Sequence, residues 1–139
     1  MSRSAVIETL EDRRLLSASP LATKSKPTIP SMLGTFTGTE TYSSGVIYSV
    51  IIAVKKQHGK VFSGTVVESS GLTARITGTI DRKDDVRFTE VSTKRHHPFS
   101  STAVGTLSSD SLSATFTKTQ SGLKFHGSIA ATRPIATTT

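Results

Sequence analysis

From about residue 33 to residue 131 the chain alternates apolar and polar side chains with a period of two. Successive side chains on an extended backbone point to opposite faces, so this period belongs to β-strands that bury one face and wet the other. Eight stretches carry it, at about 33–42, 46–57, 60–69, 72–82, 85–94, 101–108, 111–119 and 123–131. Short turn signals separate them: Ser43-Ser44-Gly45, His58-Gly59, Ser70-Gly71, Asp84-Asp85, Ser109-Asp110 and Ser121-Gly122. Gly, Ser and Asp suit such sites because they tolerate, or bond locally around, tight backbone turns. Only the connection around Lys94 to Ser100 is longer, and it holds Pro98. Connections this short make sequence neighbours pair antiparallel, as a meander.

The faces follow from the alternation. The inward register holds Phe36, Tyr42, Tyr48, Val50, Ile52, Val54, Phe62, Val66, Ile76, Ile80, Val86 and Phe88, then Leu107, Leu112, Ala114, Phe116, Leu123, Phe125 and Ile129. The outward register holds residues such as Thr37, Ser49, Lys55, Thr65, Arg75, Thr77, Arg87, Thr115, Lys124 and His126. A sheet with one apolar face must cover it, and no stretch of this chain gives a helix long enough to do so. Closing the sheet on itself covers that face and removes both edges. Recurrent Gly38-Thr39, Gly64-Thr65, Gly78-Thr79, Gly105-Thr106 and Gly127-Ser128 agree, each Gly lying in the inward register. Bare backbone there lets strongly coiled strands bend inward. The expected fold is an all-β, eight-stranded antiparallel up-and-down barrel, with an open β-sandwich as the alternative.

Composition supports strands. The chain has 22 Thr and 21 Ser, and Thr fits a pleated surface. There is no Cys, which removes disulfides, thiolate catalysis and cysteine metal sites. No apolar run is long enough for a transmembrane helix. Net charge is +7, spread along the chain and densest at Lys55-Lys56, Arg82-Lys83 and Lys94-Arg95, which reads as a solvated basic surface.

The chain divides into residues 1–19, a segment with helical spacing of Val6, Ile7 and Leu10; residues 20–31, a linker with Pro20, Pro27 and Pro30; residues 32–133, the barrel; and residues 134–139, a tail. Within the first, Leu10, Glu11, Arg13, Leu15, Leu16 and Ser17 resemble the LEPR-XLL motif found near the N-termini of exported and surface proteins of planctomycete bacteria. Asp12 stands where that motif has Pro. The resemblance implies a secreted or cell-surface protein. The residues alone leave a cytoplasmic location open, because Glu8, Glu11, Asp12, Arg13 and Arg14 interrupt any signal-peptide apolar core. By pattern only, the barrel segment resembles small lipocalin-like and avidin-like barrels. With no Trp in the chain, neither family's signature residues carry over.

Catalytic templates are missing. The chain lacks a Gly-x-Ser-x-Gly elbow, a phosphate-cradling loop and a His-Glu-x-x-His helix. No catalytic residue, cofactor or metal site is expected. His96-His97 point apart on an extended backbone, beside Lys94 and Arg95. Specific nucleic-acid readout is not expected, because the aromatics share the inward register instead of an exposed basic face.

One arrangement stands out. Alternate strands of a meander end on the same rim, and Glu40, Glu68 and Glu90 lie inward near the ends of the first, third and fifth strands. Lys118 does the same on the seventh, and Tyr42 and Tyr48 lie just inside. Charged strand ends that meet solvent are the simpler account of these residues. The alternative is a mouth of Glu40, Tyr42, Tyr48, Glu68 and Glu90 that binds a cationic or hydroxylated ligand. The expected role is a non-catalytic exported or surface barrel with a structural or interaction function, partnered by an envelope or extracellular component. The alternative is a small-ligand-binding barrel using that mouth.

Overall fold

The computed structural model describes residues 28–93 and 98–134. The segment resembling LEPR-XLL, its expected helix, most of the linker, His96-His97 and the last five residues lie outside the described residues. Among the described residues no helix is long and apolar enough to cross a membrane.

Eight strands follow one another: β1 Gly34–Tyr42, β2 Ile47–His58, β3 Val61–Glu68, β4 Thr73–Ile80, β5 Asp85–Ser92, β6 Phe99–Ser108, β7 Ser111–Gln120 and β8 Leu123–Thr132. Each pairs antiparallel with its sequence neighbour, and β8 returns to pair with β1 through Ile129↔Glu40 and Ala131↔Gly38. The sheet is therefore a closed barrel, and the open sandwich is excluded. One rim, called the mouth here, carries the ends of β1, β3, β5 and β7 and the starts of the other four.

The inward register packs into one core of Met32, Phe36, Ile52, Phe62, Ile76, Ile80, Phe88, Leu112, Phe116, Ile129 and their neighbours. The inward glycines are explained by contact between strands. A Cβ on Gly64 would run into the carbonyl oxygen of Ala53, and one on Gly38 into that of Ala130. These strands approach more closely than any side chain allows, as coiling in a small barrel requires.

The end opposite the mouth is closed by Met32, the first residue of the expected barrel, and by the end of the segment read from the sequence as linker. Met32 is fully buried, and Ile29 packs against the core. Gln57 holds this entry segment: its Oε1 accepts from the Met32 amide at 2.6 Å and its Nε2 donates to the Pro30 carbonyl at 2.9 Å. Gln57 reaches that position through a register shift between Val54 and Lys56, where β2 carries an extra residue against β3. The bulge leaves Lys55 and Lys56 both exposed and brings Gln57 opposite inward-facing Phe62.

Two readings of the inward register are corrected. Leu123 is 62% exposed and Phe125 38%, because the β7–β8 hairpin begins above the core, so these two do not belong to it. Strand β6 starts at Phe99, directly after Pro98, and not at residue 101. Proline is tolerated immediately before a strand, and Pro98 ends the connection of residues 93–98, the longest between strands, as the sequence implied.

Candidate functional site

The turns lift the ends of β1, β3, β5 and β7 to one level, and the period of two turns a single polar residue of each inward there. The result is a buried cluster: Glu40, Glu68, Glu90 and Lys118 are each 2–3% exposed. The expectation that these charged ends meet solvent is thus overturned. The meander positions them below the rim, where aromatic side chains and the mouth turns exclude water. Cross-strand register joins them. Glu40 opposes Tyr48 on β2 and Ile129 on β8, Glu68 opposes Val50, and Glu90, Ser101 and Lys118 form a row across β5, β6 and β7.

Glu68 is the hub. Its Oε2 accepts from the Tyr42 hydroxyl at 3.0 Å and lies 3.6 Å from the Lys118 ammonium. Its Oε1 accepts from the Ser70 hydroxyl in the β3–β4 turn. Glu40 donates a further hydrogen bond to it. Lys118 Nζ donates to the Tyr42 oxygen and stands 4.8 Å from the ring centroids of Tyr42 and Phe99 and 5.8 Å from that of Phe116. These ring faces favour the cation.

This environment separates the three carboxyl groups. Burial pushes Glu40 up to about 9, helped by its hydrogen bond to Glu68 and the repulsion of that carboxylate, with Lys118 pulling the other way. Burial also lifts Glu90 to about 7, against the pull of Lys118. Burial alone would raise Glu68 too, but hydrogen bonds from Glu40 and Ser70, the Lys118 charge and the Tyr42 hydroxyl outweigh it and hold Glu68 below the usual carboxylate range. Burial, then the nearby carboxylates, keeps Tyr42 protonated far into the alkaline range. At neutral pH the cluster therefore holds an ionised Glu68 against Lys118, a protonated Glu40 bridging to Glu68, and a Glu90 near its titration point.

Among the described residues two buried side-chain polar atoms have no hydrogen-bond partner: Glu90 Oε2 and Ser101 Oγ. They sit on directly opposed residues of β5 and β6. Unpaired groups at such depth are costly and ask for an explanation.

Above the cluster lies a cavity of about 540 Å³, lined by Tyr42, Val46, Tyr48, Leu72 and Phe125 on its apolar side and by Ser44, Glu68, Ser70 and Gln120 on its polar side. Small-molecule pockets span roughly 300–1,000 Å³. Tyr42 stacks edge-on against Tyr48 at 5.8 Å, Phe116 at 5.3 Å and Phe125 at 6.4 Å. Tyr42 and Glu68 belong to both the cavity wall and the cluster, so the cavity meets the cluster at these two residues.

Of the residues expected at the mouth, the structure brings Glu40, Tyr42, Glu68 and Glu90 into one cluster. Tyr48 is placed on the cavity wall, where it contributes its ring. Sequence reasoning missed Ser101, Phe99, Ser70, Gln120 and the cavity face of Phe125. Ser101 is in phase with inward Ala103 and Leu107, so the alternation within β6 carries a usable signal for it. Among the described residues no group of three or more His, Asp or Glu is placed to hold a metal ion.

No protein-family model matches the chain, and no curated protein matches it. Among solved structures the chain is similar to one described as EF1p2_mFAP2b bound to DFHBI, with a TM-score of 0.62 and 11% sequence identity, over 74% of this chain and 94% of that one. At that identity the likeness is one of barrel fold.

Proposed function

We propose that this chain is a small-ligand-binding barrel whose mouth, formed by Glu40, Tyr42, Tyr48, Glu68 and Glu90, receives the ligand. The observation that carries this reading is the cavity of about 540 Å³, whose wall of Tyr42, Tyr48 and Phe125 rings meets the buried cluster at Glu68. A barrel with a purely structural role would gain stability by filling that volume. A similar barrel described with DFHBI bound supports the reading by analogy of fold. The role is binding without chemistry. The lack of a catalytic template in the sequence supports that reading, and Glu68 is already occupied by Tyr42, Ser70, Glu40 and Lys118. Export of such a binder rests on Leu10 to Ser17 alone, through their resemblance to LEPR-XLL.

A thermal-shift screen of small aromatic compounds tests the proposal, because a ligand of the native state raises the melting temperature. At least one compound should stabilise the wild type by several degrees and lose most of that effect in Tyr48→Ala. A panel without any stabilising compound, or hits that bind Tyr48→Ala and Phe125→Ala undiminished, would refute it.

A further inference from the structure

On the outer wall of the barrel, away from the mouth, a groove of about 440 Å³ crosses strands β2 to β5. Lys55, Lys56 and Arg75 line it together with Ser63, Thr77 and Thr89, and no acidic residue does. The bulge in β2 makes this arrangement. In a regular strand Lys55 and Lys56 would face opposite sides, whereas the extra residue leaves both exposed beside the groove. Register supplies the rest. Lys56 opposes Ser63, Ser63 opposes Thr77 and Thr77 opposes Thr89, so a row of hydroxyl residues runs from the lysines across β3, β4 and β5. Arg75 and Arg87 lie on the same outer face, on opposite sides of that row. Among the described residues none of these four cations has an ion-pair partner, and Asp85, on the outer face of β5, pairs with none of them. Like charges gathered without a counter-charge repel one another, and a bound anion relieves that repulsion.

The spacing and chemistry of the groove select the kind of anion. Strands β2 and β5 are three strand spacings apart, roughly 14 Å along the sheet, so no single small anion reaches all four cations. The ligand must carry its charge at intervals. The groove has no aromatic side chain on which a nucleobase could stack. The closed barrel has no strand edge with which an acidic peptide could pair its backbone. What the groove sets between its cations is hydroxyl groups, which both donate and accept hydrogen bonds and so match a ligand rich in hydroxyls. We propose that this groove binds an acidic polysaccharide, with carboxylate or sulfate groups on Lys55, Lys56 and Arg75 and sugar hydroxyls on Ser63, Thr77 and Thr89. Arg87 receives a further charge along the polymer. The Thr89 hydroxyl donates to the Thr77 carbonyl at 3.4 Å, which leaves its oxygen to accept from a sugar hydroxyl. The groove shares no residue with the mouth, and its occupancy is independent of any ligand there.

The test is an NMR titration of the full chain with a polygalacturonate fragment. A galactan fragment of equal length is the neutral counterpart, and oligo-dT and polyglutamate of equal charge are the other polyanions. Polygalacturonate should shift amide signals around Ser63, Arg75 and Thr89, and bind at least tenfold more tightly than galactan and several-fold more tightly than oligo-dT or polyglutamate. Lys55→Gln, Lys56→Gln and Arg75→Gln combined should weaken it tenfold or more. Arg82→Gln, Lys83→Gln and Lys124→Gln combined remove the same charge elsewhere and should weaken it less than threefold. All six side chains are exposed, so both variants should keep the circular dichroism of the fold. Thr77→Val with Thr89→Val should weaken polygalacturonate several-fold and leave oligo-dT unaffected. Equal losses in the two charge variants would overturn the proposal, because they would reduce binding to the general attraction of a chain of net charge +7. Equal affinity for oligo-dT or polyglutamate overturns it as well, and so does the absence of any binding by polygalacturonate.

Discussion

Glu40 and Glu90 keep protons at pH values where a carboxyl group in water, near 4.5, has already released them. Their folded values, about 9 and about 7, lie above the unfolded value, so their contribution to stability is complete below pH 4.5 and is lost as pH rises. Glu68 has the opposite sign. Its folded value is depressed, so its contribution is present above pH 4.5 and is lost as acid protonates it. Together these place the stability maximum in mild acid, near pH 5, with a decline through pH 7 that continues more gently towards pH 9. Urea midpoints at pH 5, 7 and 9 should fall in that order, and Glu40→Gln should flatten the segment from 7 to 9. A midpoint that rises with pH across this range would contradict the ionisation pattern.

At the scale of elements, close strand approach and turn geometry set what each position tolerates. Gly64 lies where β3 crosses against the β2 backbone at Ala53, and that carbonyl cannot move without breaking the ladder. Gly64→Ala should therefore cost roughly 3 kcal/mol or more, read as a lowered urea midpoint at unchanged slope. The β6–β7 turn has the reverse defect: Ser109 sits at φ 58°, in the left-handed region that favours glycine. Ser109→Gly removes that strain but adds backbone freedom to the unfolded chain, leaving a net gain of about 0.5–1 kcal/mol. A rise of a few degrees in melting temperature would show it, whereas a fall would mean that the Ser109 backbone is not strained.

At the scale of the molecule, closure depends on joining the two ends of the described barrel. Arg133, just beyond β8, makes an ion pair with Asp110 in the β6–β7 turn at 2.8 Å and donates to the carbonyls of Ser31 and Leu33 ahead of β1, both at 2.8 Å. Its guanidinium also lies 5.1 Å from the ring centroid of Phe36. A planar fork makes these contacts together, which a lysine cannot do. Arg133→Ala should cost about 2–3 kcal/mol, with faster amide exchange concentrated in β1 and β8, and Arg133→Lys should recover only part of it. Uniformly faster exchange over all eight strands would mean that Arg133 is not a local clasp. Closure also sorts the charge. The three glutamates of the barrel are internal, and its four described aspartates, Asp81, Asp84, Asp85 and Asp110, lie at the turns opposite the mouth. The outer strand faces are thus more basic than the overall charge suggests.

The sequence by itself determined the strands, their antiparallel order and the sorting of most side chains between core and solvent, because alternation and turn chemistry are local properties of the chain. It also determined that Glu40, Glu68, Glu90 and Lys118 would share a rim, since alternate strands of any meander end together. The tertiary structure decided how deep that rim lies. Burial, and with it the separated proton affinities of the three glutamates, depends on Phe99, Phe116, Tyr42 and the mouth turns arriving from other strands. Closure likewise made residues that read as linker into a plug around Met32, and raised Leu123 and Phe125 out of the core that their register implied. Register fixes which way a side chain points; only the packed neighbours fix whether water reaches it.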